Sequence, residues 1–304
     1  MTAASPLHLL LALLLAPLLL GVIHRVKALV AGRRGPPLLQ VYYDVGKLLR
    51  RGAVYSRTTT WLFRAGPLVN LAAVGAALLL TPLGGVPAAL AFPGDLFVAV
   101  YLLALGRFFT VLAALDTGSA FEGMGGSREV QFSALAEPAV LVALAVLARL
   151  TQGFSLSAML PAVTPALWAA GGASLALLAV ALFVVLLAEN ARIPFDDPNT
   201  HLELTMIHEV MVLDHGGPDF ALITYGAALK LWLFAALLAG LVVPVRTGTL
   251  WLDAAAALGG VAAVGVAVGL VESCMARLRL VRVPQLLVSA TVLAVLAFLL
   301  LVAR

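Results

Sequence analysis

The chain has 304 residues and a mass of 31.5 kDa; 62% of residues are hydrophobic, 11% are charged, and the mean hydropathy is +1.08. A soluble domain carries about 25% charged residues, so soluble enzymes and soluble binding modules are excluded. The formal charge of +4 and pI near 9.6 are not read as nucleic-acid affinity, because basic residues on a membrane protein mark one side of the bilayer.

A membrane span needs about 20 mostly apolar residues. About eight such stretches occur, at roughly 6–27, 65–83, 95–115, 133–150, 164–188, 219–243, 250–273 and 284–303. The expected fold is all-α: one polytopic transmembrane domain over 1–304, without internal repeats. In the first stretch, LHLLLALLLAPLLLGVIHRVK, the charges Arg25 and Lys27 follow the apolar run. That order fits a first membrane helix and not a signal peptide. Pro67, Pro138, Pro218 and Pro284 fall near the expected helix starts, where a missing N–H costs least.

The first connection carries nine cations between Arg25 and Arg64, and connections on the same side add Arg128, Arg192, Arg277, Arg279 and Arg282. The other side has Arg149, Arg246 and Arg304. This asymmetry places the charged connections in the cytoplasm and both termini outside. Within the first connection, RRGPPLLQVYYDVGKLLRRG reads as a basic amphipathic helix with Asp44 and Lys47 at i, i+3. GMGGS at 123–127 reads as a glycine loop of low specificity.

Ionisable residues inside spans are expensive and normally have internal partners. Arg107, Glu137 and Lys230, within or close to apolar spans, are singled out on this ground, with snorkelling as the bland reading for the two cations. Arg128, nine residues before Glu137, would be about 13 Å away on a continuous helix, so Glu137 needs another partner; Lys230 is a candidate. Cys274 is the single cysteine and can hold neither an internal disulfide nor a cysteine-ligated cluster.

AENARIPFDDPNTHLELTMIHEVMVLDHGGPD (188–219) concentrates charge between the fifth and sixth spans. Glu189 and Arg192 sit at i, i+3. Thr200 and Glu203 form a capping box, followed by an apolar stripe of Leu202, Met206, Val210 and Leu213. A short amphipathic helix near 200–214 is therefore expected. HEVMV lacks the second histidine of a zinc-protease motif, since Val212 stands there, so no metal site is assigned.

RRGPPLLQVYYDVGKL, SREVQFSALAEP and AENARIPFDDPNTHLEL together resemble the three cytoplasmic signatures of the subunit-1 family of respiratory complex I. In the third, Ala188, Glu189, Arg192, Pro194, Phe195, Asp196, Pro198 and Glu203 fit the family run A-E-x-x-R-x-P-F-D-x-P and its acidic helix. Arg128 and Glu137 match a family spacing in which an arginine precedes a channel glutamate by nine. Asn199 and His201 stand where quinone-reducing members carry acids. The variant looks like the branch of membrane-bound group 4 nickel–iron hydrogenases, formate hydrogenlyase and hydrogenase-4 above all.

The resemblance implies a non-catalytic membrane anchor and proton-coupling subunit in a prokaryotic cytoplasmic membrane. It implies no cofactor in this chain, with iron–sulfur clusters and a nickel–iron centre on partners. Those partners are hydrogenase-like large and small subunits, iron–sulfur proteins and antiporter-like membrane subunits. The alternative is the quinone-site subunit of a complex I-like NADH or ferredoxin–quinone oxidoreductase. Candidates for a proton path are Glu137, Glu189, Glu203, Glu209, Asp214 and Lys230. Arg192, Asp196 and Arg128 would tune charge or fix the loop, and Arg33, Arg34, Asp44 and Lys47 are docking candidates.

Overall fold

The computed structural model describes residues 6–196 and 206–303. Among the described residues ten α-helices follow in order: α1 (Leu7–Val30), α2 (Gln40–Leu48), α3 (Trp61–Leu80), α4 (Asp95–Asp116), α5 (Ala120–Thr151), α6 (Leu156–Met159), α7 (Pro165–Glu189), α8 (Gly217–Val242), α9 (Leu250–Cys274) and α10 (Val283–Val302). All except α2 and α6 are long and apolar enough to cross a membrane, so the chain is an all-α, multi-pass membrane protein with the expected eight spans. One end of the bundle, where α1, α4, α7 and α9 finish, carries most of the charge and is called the charged end.

Two helices start earlier than hydropathy implies. Pro218 and Pro284 lie in first turns as expected, but Pro67 and Pro138 are inside α3 and α5. The α3 helix begins at Trp61 because Thr60 caps it, its Oγ1 accepting from the Leu62 N–H at 3.3 Å. The α5 helix begins at Ala120 because Glu122 and Glu129 are buried against protein, an environment that a hydropathy average cannot register. It spans 32 residues and absorbs GMGGS, which is helix and not a loop. Gly125 is required there: a side chain would collide with Val210 and stand 3.0 Å from the Ile207 carbonyl oxygen.

The expected amphipathic helix is also corrected. Residues 206–214 form a 3-10 turn, Glu209–Val212, with flanking bends; Thr200 and Glu203 lie outside the described residues. The backbone groups that a helix would use are taken by side chains. The Asp196 carboxylate accepts from the N–H groups of Ile207 and His208 at 3.1 and 3.0 Å. Arg128 donates to the Met206 carbonyl at 2.8 Å. Met206 and Val210 of the apolar stripe are buried, whereas Leu213 is exposed.

α3, α4, α5, α7 and α8 pack as a ring, α3 on α4, α4 on α5, α5 on α7, α7 on α8 and α8 back on α3. α10 covers α5 and α7; α1 and α9 pair on the far side of α8. α8 is therefore central, with 61% of its apolar stretch inside protein against 22% for the peripheral last span. The ring surrounds a narrow apolar cleft, lined mainly from α4, α5 and α8.

The α1 helix illustrates how backbone groups are satisfied in lipid. Pro17 removes the N–H that would bond the Leu13 carbonyl. The Tyr225 hydroxyl of α8 donates to that oxygen at 2.7 Å, and the Tyr42 hydroxyl of α2 donates to the Leu14 carbonyl. At the uncharged end the Trp232 N–H donates to His8 Nε2 at 3.1 Å. His8 Nδ1 therefore carries the proton given to the Thr81 carbonyl at 2.6 Å.

Candidate functional site: a buried line of ion pairs

The α7 helix ends at Glu189. Ala191 is left-handed (φ 52°), and the Arg192 N–H returns to the Leu187 carbonyl at 2.9 Å, a helix-terminating reversal. This turn sends the two charges of the sequence pair in different directions. Glu189 points into the ring, where Arg107 of α4 and Lys230 of α8 each approach it to 2.7 Å. Arg192 lies 3.4 Å from Glu272 of α9, whose other oxygen is 2.8 Å from Lys27 of α1.

Arg107 joins three carboxylates. Besides Glu189 it meets Glu137 at 2.7 Å and Glu129 at 3.2 Å, both on α5. Glu129 continues to His208 Nε2 at 3.0 Å, His208 Nδ1 lies 3.4 Å from Asp196, and Asp196 meets Arg277 at 2.8 Å. Both imidazole nitrogens thus face carboxylates, and only an imidazolium donates to both. Burial by itself would depress His208, but the Glu129 and Asp196 carboxylates override it and push its pKa up to about 10. Burial would likewise raise Asp196; the hydrogen bond and charge of His208, with Arg277 behind them, hold it below the usual carboxylate range.

The line runs Arg277, Asp196, His208, Glu129, Arg107, then Glu137 and Glu189, and finally Lys230. Four carboxylates meet four cations, so the buried charge is compensated group by group, as a low-dielectric interior requires. At 1.5 Å per residue, Arg107 and Lys230 lie about 18 Å, and Glu137 about 21 Å, from the uncharged-end termini of their helices. The line therefore climbs from the charged end to the middle of the membrane thickness. A small pocket lies beside it, lined by Glu129, Glu189, His208, Phe195, Val283 and Leu287.

Beyond Arg107, Glu137 and Glu189 the cleft is walled mainly by leucines, among them Leu103, Leu144, Leu182 and Leu237. Next to its lining residues Leu96, Leu156 and Leu160 stand two charges held by the protein, the buried Asp95 and the half-buried Arg246. Asp95 accepts from Ser155 Oγ at 2.6 Å and the Leu156 N–H at 2.7 Å. Arg246 donates to the carbonyls of Leu160 at 3.0 Å and Gly240 at 2.8 Å.

Several candidates meet in this line: Glu137, Glu189, Lys230 and Asp196. Glu137 keeps 41% of its side chain exposed, and its partner is Arg107, whereas Lys230 serves Glu189. Asp214 is exposed and contributes its N–H to Glu122 Oε1 at 3.0 Å. Glu209 is half-buried on the 3-10 turn. Asp44 accepts from Gln40 at 2.9 Å; Lys47, Arg33 and Arg34 are exposed, the last two at the tip where the chain reverses from α1. Sequence reasoning missed Glu129, Glu272, Lys27, Arg277 and the pairing role of His208. Glu129 was detectable only once α5 is continuous, since it then lies about 80° from Glu137 around one helix axis.

Residues 4–303 match the family described as NADH dehydrogenase, and the chain belongs to that family, of the complex I subunit 1 type. Formate hydrogenlyase subunit 4 of Escherichia coli (strain K12) is 31% identical over 290 residues, 93% of this chain and 93% of that one. Hydrogenase-4 component C of the same organism is 34% identical over 232 residues, 76% of this chain and 72% of that one. The fold is shared with a chain in the structure of the membrane-bound sulfane sulfur reductase, an archaeal respiratory membrane complex. That match has a TM-score of 0.82 at 20% identity and covers 97% of both chains.

Proposed function

We propose that this chain is the membrane anchor and proton-coupling subunit of a hydrogenase or formate hydrogenlyase-like complex. Its charged end faces the cytoplasm, both termini face outward, and the soluble iron–sulfur and nickel–iron subunits dock on the charged connections. Electron carriers belong to those subunits, and antiporter-like membrane partners receive the coupled charge. The relatives' names and the family support this assignment. The observation that carries the coupling role is the unbroken line of ion pairs from Asp196 to Lys230.

In such a line each proton or conformational change at the loop alters the charge balance of the next pair, because close opposite charges set each other's protonation. Glu189 joins Arg107 and Lys230, and Arg107 carries the contact on to Glu137, whose side chain is the most open of the three linked acids. Glu203, Glu209 and Asp214 belong to the same connection and are proposed as its loop-side members.

The experiment compares the assembled complex carrying Glu189→Gln or Glu137→Gln with wild type in inverted membrane vesicles. Hydrogen turnover and lumen acidification are measured together. The reading predicts that turnover persists while acidification falls. Full acidification in both variants would retire the coupling role and leave an anchor alone. Displacement of bound quinone analogue from the wild-type complex would instead point to quinone reduction.

A further inference from the structure

We propose that the edge of the bundle formed by Arg50, Arg51, Val54, Arg57, Trp61 and Arg64 is a binding site for anionic phospholipid headgroups. This requires only that the chain lies in a bilayer, and it is separate from docking of a soluble arm.

The segment is purely cationic: no Asp or Glu occurs between Asp44 and Asp95. The four arginines are exposed. Interleaved with them, Val54 is 88% and Trp61 69% exposed. Exposed apolar groups between arginines suit the boundary where acyl chains give way to phosphates.

Three helix termini fix the depth of this edge. Trp61 is the first residue of α3, whose 20 residues span about 30 Å, the thickness of a hydrocarbon core. The Thr60 N–H and hydroxyl donate to the carboxylate of Asp116, the last residue of α4, at 2.6 and 2.9 Å. The Gly52 backbone lies against Gly217, where α8 begins; a Cβ there would stand 2.6 Å from the Gly52 oxygen. Trp251, 73% exposed in the first turn of α9, marks the opposite boundary.

The edge is also held in shape. Phe63 stacks on His215 at 3.9 Å and receives the edge of Tyr55 at 6.3 Å. The Arg64 guanidinium lies 4.2 Å over the Tyr55 ring. Guanidinium groups so placed present paired N–H donors to a phosphate. Arg33 and Arg34 are elsewhere. They occupy the tip beyond α1, and from Val30 back to Leu14, where Tyr42 bonds, is about 24 Å along that helix.

The test reconstitutes the full-length chain in nanodiscs of phosphatidylcholine and phosphatidylglycerol, extracts it in mild detergent and counts retained lipids by native mass spectrometry. R50Q/R51Q/R57Q should lose enrichment of phosphatidylglycerol by roughly fivefold per arginine, the effect of one surface cation on anionic lipid. R57Q alone should lose about fivefold, which keeps the test valid if the triple variant folds poorly. R33Q/R34Q should retain wild-type enrichment. Unchanged enrichment in R57Q and the triple variant would overturn the proposal. So would an equal loss in R33Q/R34Q, which would indicate diffuse charge.

Discussion

Replacing Arg107 with leucine removes a cation that touches three carboxylates. The consequences differ among them. Glu189 keeps Lys230 at 2.7 Å and Glu129 keeps His208 at 3.0 Å. Glu137 loses its ion-pair partner, but 41% of its side chain is exposed, so screening limits its share to about 1 kcal/mol or less. The main effect is the excess negative charge left on the buried Glu129 and Glu189. Breaking a buried pair from one side costs about 3–5 kcal/mol, and that is the expected loss of stability for Arg107→Leu. Arg107→Lys should fall between, because an ammonium keeps the charge without the fork that bridges several acids. Adding Glu189→Gln to Arg107→Leu should recover part of the loss, with a coupling energy of about 0.5–3 kcal/mol. Denaturant-induced unfolding of the purified chain in detergent micelles measures all four. An Arg107→Leu protein within about 0.5 kcal/mol of wild type, or strict additivity with Glu189→Gln, would refute the idea that these charges form one compensated unit.

Tyr225→Phe should destabilise by about 0.5–1.5 kcal/mol, because the Leu13 carbonyl then faces lipid without a donor. Pro17→Ala in that background should restore stability by returning the helical N–H, and thermal unfolding without such rescue would dismiss the explanation. The folded-state pKa of His208, pushed up to about 10, lies above its unfolded value of about 6.5. Its stabilising contribution is therefore complete below about pH 6.5 and is lost as pH rises through about 10. Wild type should lose its stability advantage over His208→Asn across that window, and melting curves offset by a constant amount from about pH 6 to about pH 10.5 would contradict it. Arg33→Glu with Arg34→Glu should release the soluble subunits from membranes at ordinary salt; their retention in sedimented membranes would remove these arginines from the docking surface.

The spans and the helical class were legible in the chain itself, because crossing a bilayer demands about 20 apolar residues wherever it happens, and each window carries that signal alone. The motifs were equally local: Ala188–Asp196 and Arg128–Glu137 identified the family before any contact was known. Errors arose where neighbours changed the environment. α5 starts well before its apolar run since Glu122 and Glu129 are buried against protein, and the 206–214 helix yields to a 3-10 turn since Asp196 and Arg128 take its backbone groups.

The pairing of charges was decided by tertiary structure alone. Glu189 and Arg192 look like partners at i, i+3, yet the left-handed turn at Ala191 separates them. Glu189 instead finds Arg107, 82 residues away in the chain, because α4 and α7, both packed on α5, turn these side chains toward each other inside the ring. Hydropathy and motif spacing act over one helix, whereas Coulomb attraction in a low-dielectric interior depends on distance through space. The sequence determined which residues would be too costly to leave alone in a membrane; the packing of five helices determined which opposite charge answers each of them.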